Sequence, residues 1–295
     1  MAIDATTDAR LSRLHAALMT PCDADENIAH GCLKKLVAHV KGLGIDGLYV
    51  GGSTGEGLLH SVDERIAVFN TVAEAAGDSA RIAHVGAIST RDAVTLAKGA
   101  AASGYDAVSA IPPIYFPHRK EAIFAYYQDI LAATDLPLII YNIPAMSGVS
   151  FSLDDLGRLL NLPGVAGIKQ TAIDMYQMEQ LARAFPGKIL LNGYDEMLLA
   201  GLSMGANGGI GSTYNILGDR YLRLMASLKD DLPRARALQS QCNAIIDELV
   251  RVGVFPGLKY LLHKMGVIAT PVCRRPLATL AATPSLDDIA ASLAC

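Results

Sequence analysis

Apolar and polar positions along the chain follow one recurring motif: a stretch with helical spacing ends at a glycine, and a short, unbroken apolar run follows within three residues. The motif appears at Gly44-Ile45-Asp46-Gly47-Leu48-Tyr49-Val50, at Gly104-Tyr105-Asp106-Ala107-Val108, at Gly164-Val165-Ala166-Gly167-Ile168 and at Gly205-Ala206-Asn207-Gly208-Gly209-Ile210. Glycine takes a positive φ without steric cost, so Gly at a helix end followed by a buried strand marks an αβ junction. The first three of these glycines are 60 residues apart, room for two βα units per interval. Further apolar runs at Ala16–Met19, Ile82–Val85, Leu138–Ile140 and Ile189–Leu191 bring the strand count to eight.

Helical stretches fill the gaps: Leu33 to Lys41, Glu64 to Ala76, Ala93 to Ala102, Glu121 to Ala132, Met175 to Ala184 and Arg220 to Leu228. Short strands without alternation, separated by helices, indicate a parallel sheet covered by those helices. Eight regular units favour an α/β fold closed into a (β/α)8 TIM barrel over an open doubly wound sheet. The open alternative calls for G-x-G-x-x-G after its first strand, where this chain has Met19-Thr20-Pro21-Cys22-Asp23. Beyond Leu228 the pattern is helical alone: Leu232 to Arg251, Pro256 to Met265 and Ser285 to Leu293. The division expected is a barrel over residues 1–228 and a C-terminal helical appendage over 229–295, packed together as one folded unit.

Composition narrows the partners. Of 295 residues, 51% are hydrophobic and 18% charged, enough apolar material for a large core. A net charge of -4 with scattered Lys and Arg lacks the basic stripe that nucleic acid requires. Five scattered cysteines without a C-x-x-C pair suggest neither a disulfide framework nor a zinc site. The polar stretch Met1 to Arg13 has no apolar core of a signal peptide, and no apolar run approaches a membrane span, so a cytoplasmic protein without membrane contact is expected.

In such a barrel the reacting groups sit at the C-terminal ends of the strands. Lys169 follows Val165-Ala166-Gly167-Ile168, so its amine starts among barrel side chains. Burial disfavours a charged amine and equips it to attack a carbonyl and form a Schiff base, although a strand-end lysine can equally snorkel to solvent. Gly51-Gly52-Ser53-Thr54-Gly55 offers backbone N–H groups and two hydroxyls at an expected helix start, a combination suited to a carboxylate. A P-loop would end in Gly-Lys-Ser/Thr, and here Glu56 stands instead. Tyr141 ends an aliphatic strand, where a phenol either relays a proton or is a satisfied core aromatic. The seven histidines show no metal or triad spacing, and His84 reads as core.

Together, Gly51-Gly52-Ser53-Thr54-Gly55-Glu56, Tyr141-Asn142-Ile143-Pro144 and Gly167-Ile168-Lys169-Gln170-Thr171 resemble the dihydrodipicolinate synthase and N-acetylneuraminate lyase superfamily, in order and spacing across the whole barrel. Tyr141 to Val149, Asn192 to Glu196 and Gly208 to Asn215 resemble its lyase branch. The resemblance implies a class I aldolase, without metal or organic cofactor, that cleaves N-acetylneuraminate reversibly to N-acetylmannosamine and pyruvate. It implies that Lys169 forms the imine, Tyr141 shuttles the proton at the C4 hydroxyl, and Ser53 and Thr54 hold the pyruvate carboxylate. Thr171, Gly193, Asp195, Glu196, Gly211 and Ser212 would meet the sugar-derived hydroxyls. Tyr115 would support Tyr141 of a neighbouring subunit, which implies a homotetramer built from tight dimers.

Two departures matter. Synthases usually carry an arginine where this chain has Met146, which leaves a dicarboxylate without its bidentate partner. Pro112-Pro113-Ile114 replaces the family's common Thr-Pro-aromatic run before Tyr115, and so bears on how Tyr115 is set. The rival expectations are a synthase, an aldolase acting on another 2-keto-3-deoxy sugar acid, and a ligand-sensing barrel without catalysis.

Overall fold

The computed structural model describes residues 9–293, so residues 1–8 of the N-terminal stretch and Cys295 lie outside the described residues. Eight strands, all parallel, close into a barrel in the order in which they occur along the chain. They are β1 (Leu14–Ala17), β2 (Gly47–Val50), β3 (Ala80–His84), β4 (Ala107–Ala110), β5 (Leu138–Asn142), β6 (Val165–Gln170), β7 (Ile189–Asn192) and β8 (Gly208–Gly211), with β8 pairing back onto β1.

Between them run α1 (His30–Gly42), α2 (Val62–Ala76), α3 (Thr90–Ala102), α4 (Lys120–Ala132), the single turn α5 (Pro144–Ser147), α6 (Leu153–Leu160), α7 (Met175–Ala184) and α8 (Leu198–Ser203). After the barrel come α9 (Tyr214–Ser227), α10 (Leu232–Val252), α11 (Val254–Lys264) and α12 (Pro284–Leu293). Hydrogen bonding explains several starts that precede the apolar pattern. Ser61 accepts from the Glu64 N–H while the Glu64 carboxylate accepts from the Ser61 N–H, a capping box that begins α2 two residues before its first periodic position. Ser152 and Asp155 do the same for α6, which is too short to stand out by periodicity.

Two apolar layers result. Tyr49, Ile82, Ala107, Ile139, Tyr141, Ala166, Leu191 and Ile210 fill the barrel interior. Leu48, Val50, Val108, Ile140, Ile168 and Leu190 point outward and pack against the helices. The C-terminal helices belong to this outer layer, since Leu249, Leu258, Leu261 and Leu262 are buried in the same cluster.

One irregularity decides which way Lys169 points. Leu138 pairs with Val165 but Ile139 pairs with Gly167, so Ala166 is an extra residue in β6. Such a bulge reverses the inward and outward alternation beyond it. From there Tyr141 lies opposite Lys169, both turned into the barrel, while Ile168 packs outside.

The first strand differs from expectation. It spans Leu14–Ala17 rather than Ala16–Met19, because the buried His15, which interrupts the apolar run, is part of the ladder.

Candidate functional site

The C-terminal ends of the strands open into a cavity of about 290 Å³ lined by residues from several loops. Lys169 reaches into it from β6, 4% exposed, with its Nζ 4.0 Å from the centre of the Tyr141 ring and 4.6 Å from that of Tyr49. The amine is held between two aromatic faces instead of snorkelling to solvent. The rings are themselves fixed: Tyr49 and Tyr141 meet edge to face, and the Tyr49 hydroxyl donates to Ser109 Oγ at 3.2 Å. His84 stacks edge-on against Tyr141 as part of this packing. Its Nε2 accepts from the Ile111 N–H, and burial together with the nearby Arg65 and Lys169 charges holds its pKa well below the ordinary range.

Ser53 and Thr54 line the same cavity from the turn after β2, and the Thr54 and Ser212 hydroxyls lie 2.7 Å apart across β2 and β8. The turn is not the start of a helix, as its residue types suggest. Glu56 N–H donates to Ser53 C=O and Gly57 N–H to Gly52 C=O, a short 3-10 turn spans Gly57–Leu59, and α2 begins only at Val62. Gly57 has no room for a side chain, because a Cβ there would sit 1.9 Å from the Gly51 carbonyl oxygen. The loop's own backbone therefore uses part of the donor set that a helix start would have offered.

The opposite wall is polar. Asp195 is buried, and its Oδ2 accepts from both the N–H and the hydroxyl of Thr213, at 2.7 and 2.6 Å. Burial outweighs these bonds and pushes its pKa up to about 6. Thr171 Oγ1 is buried without a protein partner and faces the cavity, and a Cβ on Gly193 would overlap it at 1.8 Å. Glu196 completes this wall. Gly211 does not itself line the cavity; its missing side chain makes room for Asp195 Oδ1, which a Cβ would approach to 2.4 Å. Tyr115 is not brought to the cavity within this chain. It is 87% exposed, carries φ of +79°, and stacks on Phe116 beside a separate surface depression.

Sequence reasoning missed the third wall. Ile246 and Val250 of α10 with Val254 and Phe255 of α11 close the apolar side of the cavity, so the C-terminal helices contribute to the site. Gln239 of α10 donates to the Asp195 carbonyl and accepts from the Leu199 N–H, while Asn243 donates to the Glu196 carbonyl. The only available signal was the helical spacing of Ile246, Val250 and Val254, which reads equally well as an ordinary buried face. Among the described residues no group of His, Cys, Asp and Glu is arranged to hold a metal ion, and no helix is long and apolar enough to cross a membrane.

Known proteins resemble the chain in sequence and in fold. An N-acetylneuraminate lyase from Salmonella agona is 49% identical over 271 residues, 91% of each chain. A catalytic lysine mutant of the Ruminococcus gnavus sialic acid aldolase superposes with a TM-score of 0.92 at 30% identity, covering 97% of this chain and 96% of that one. The N-acetylneuraminate lyase from Fusobacterium nucleatum complexed with pyruvate superposes with a TM-score of 0.88 at 35% identity, covering 98% of each. The dihydrodipicolinate synthetase family model matches residues 10–291, nearly the whole closed barrel and its trailing helices, and the chain belongs to that family.

Proposed function

We propose that this protein is a Schiff-base aldolase that cleaves N-acetylneuraminate reversibly to N-acetylmannosamine and pyruvate. The observation that carries the reading is the buried Lys169 amine, 4.0 Å from the Tyr141 ring, in one cavity with the Ser53 and Thr54 hydroxyls. The names of the relatives agree, being lyases and aldolases of this substrate, one with a catalytic lysine and one with bound pyruvate.

The Lys169 amine attacks the C2 ketone of the open-chain sugar acid, and loss of water leaves a protonated imine. Tyr141 relays the C4 hydroxyl proton, taking it up as its own phenolic proton passes to the substrate carboxylate, and the C3–C4 bond breaks. The bonding pair moves into the imine to give an enamine, and C4 departs as the aldehyde of N-acetylmannosamine. Protonation at C3 and hydrolysis then release pyruvate and regenerate the amine. The imine is the electron sink, so the scheme uses no metal or organic cofactor. Ser53 and Thr54 hold the carboxylate, while Thr171, Asp195, Glu196 and Ser212 meet the polyol, with Gly193 and Gly211 shaping that wall.

The same polar wall suits other 2-keto-3-deoxy sugar acids, and rates on sialic acid and on deoxygluconate separate the two readings. Synthase chemistry fits poorly because Met146, which lines the cavity, has no charge with which to grip a second carboxylate. Borohydride reduction in the presence of pyruvate is expected to add the reduced pyruvate mass to Lys169, and Lys169→Ala to lose both label and turnover. Label on another lysine, or a Lys169→Ala variant that still cleaves, removes the assignment.

The reading extends to a homotetramer in the cytoplasm. Its supports are the Tyr115-Phe116 pair, which is exposed on a single chain, and the free state of Cys22, Cys32, Cys242 and Cys273, which suits a reducing compartment. Tyr115→Ala is expected to shift the mass measured by light scattering toward smaller species and to lower turnover. A variant unchanged in both shows that Tyr115 supports no partner.

A further inference from the structure

Glu56 and Lys259 form an ion pair at 2.7 Å with both side chains wholly out of solvent. Neither touches the cavity, and a buried pair of charges is not an economical way to gain stability, since apolar residues of similar volume commonly do as well. Its connections suggest another use. Glu56 lies two residues beyond Thr54, in the left-handed region at φ +56°, and its second carboxylate oxygen accepts from the Arg274 N–H at 2.8 Å. Lys259 also donates to the Val272 carbonyl at 2.9 Å and contacts Cys22 Sγ at 3.6 Å. One turn earlier, the same helix α11 presents Val254 and Phe255 to the cavity. The Arg274 guanidinium reaches Glu64 and the carbonyls of Glu26 and Leu59, which closes the same junction from outside. The pair thus joins the turn that carries Ser53 and Thr54 to the helix and the C-terminal segment on the far side of the site.

We infer that Glu56 and Lys259 are positioning residues, which hold the Ser53-Thr54 turn in the form that receives the substrate carboxylate and couple its occupancy to the C-terminal segment around Arg274. The inference rests on the aldolase reading. The carboxylate is held alike before and during bond cleavage, so loosening its seat weakens uniform binding. The signature is then a rise in pyruvate KM with little change in kcat.

Hydrogen exchange on the wild-type enzyme, free and as the borohydride-reduced pyruvate adduct, is the direct test. Amides in 51–57 and in 270–276 are expected to slow together by about threefold or more in the adduct. An adduct on Lys169 with unchanged exchange in 270–276 overturns the coupling and leaves the aldolase reading intact. No adduct at all removes that reading and this inference with it. The double variant Glu56→Gln, Lys259→Met keeps a neutral pair of similar volume. In the condensation direction its pyruvate KM is expected to rise about tenfold while kcat changes by less than about threefold. A folded double variant with the parental KM overturns the positioning role. Should the variant not fold, the exchange experiment decides.

Discussion

Asp195 is a carboxyl group whose surroundings oppose one another. Burial disfavours its charged form more than two donations from Thr213 favour it, which moves its pKa from the ordinary 3.8 to about 6. An acid with a raised pKa binds its proton more tightly when folded than when unfolded. The associated stability is present below about pH 3.8 and is lost as pH rises to about 6, a change on the order of 3 kcal/mol. Asp195→Asn removes this titration, so the slope of unfolding free energy against pH between 4 and 6 is expected to turn toward greater stability at the higher pH. In the same window the wild-type side chain changes from neutral to anionic at the polar wall of the cavity, and under the proposed function the acid limb of kcat/KM carries a step near pH 6 that Asp195→Asn abolishes. Parallel profiles for the two proteins would contradict the assignment. Sequence alone marked Asp195 through its resemblance to a known motif, but its protonation depends on Thr213, eighteen residues away, and on helices packed behind it.

At the scale of the element, the ends of β5 and β6 show how a strand pair brings a phenol and an amine together. Tyr141 and Lys169 face inward as register partners, and their outward neighbours Asn142 and Gln170 are joined by a 2.8 Å hydrogen bond from Asn142 Nδ2 to Gln170 Oε1. Gln170 donates onward to Gln177 of α7. This amide chain secures, on the outer face, the register that sets phenol beside amine on the inner one. Gln170→Leu leaves the buried Asn142 amide without its acceptor, which is expected to cost about 1–3 kcal/mol in thermal unfolding and to lower kcat more than KM. Wild-type kcat in a destabilised variant would show that the chain serves stability alone.

Most elements were legible because several helices run on to a glycine that a largely apolar strand follows, as at Gly164 to Ile168. Other features follow no local pattern. The bulge at Ala166 that turns Lys169 inward depends on the register with β5. The extent of β1 is obscured by His15, and α6 and α8 are too short for their periodicity to be distinctive.

Across the whole molecule, the sequence indicates that helices follow the barrel but not that α10 and α11 return to its mouth, since contacts such as Gln239 to Asp195 span 44 residues. The same burial that builds the fold sets its response to acid. His15 is buried within β1 with its Nδ1 unpartnered, and its pKa is lowered from 6.5 to about 4, chiefly by desolvation. His60, with both ring nitrogens unpartnered, is lowered to about 4 by desolvation and then by the charge of Arg274. His84 shifts in the same direction. A base with a depressed pKa contributes stability that is complete above its unfolded value and is lost as pH falls through the folded one. For His15 the loss between pH 6.5 and 4 is on the order of 3 kcal/mol, and the other two add to it with the same sign. Asp195 offsets only part of this, so the denaturant midpoint is expected to fall steeply below pH 6.5. His15→Gln, which cannot titrate there, should flatten that fall even if it lowers the midpoint at neutral pH. A His15→Gln protein as acid-sensitive as the parent would place the origin of the acid response elsewhere than at the base of the barrel.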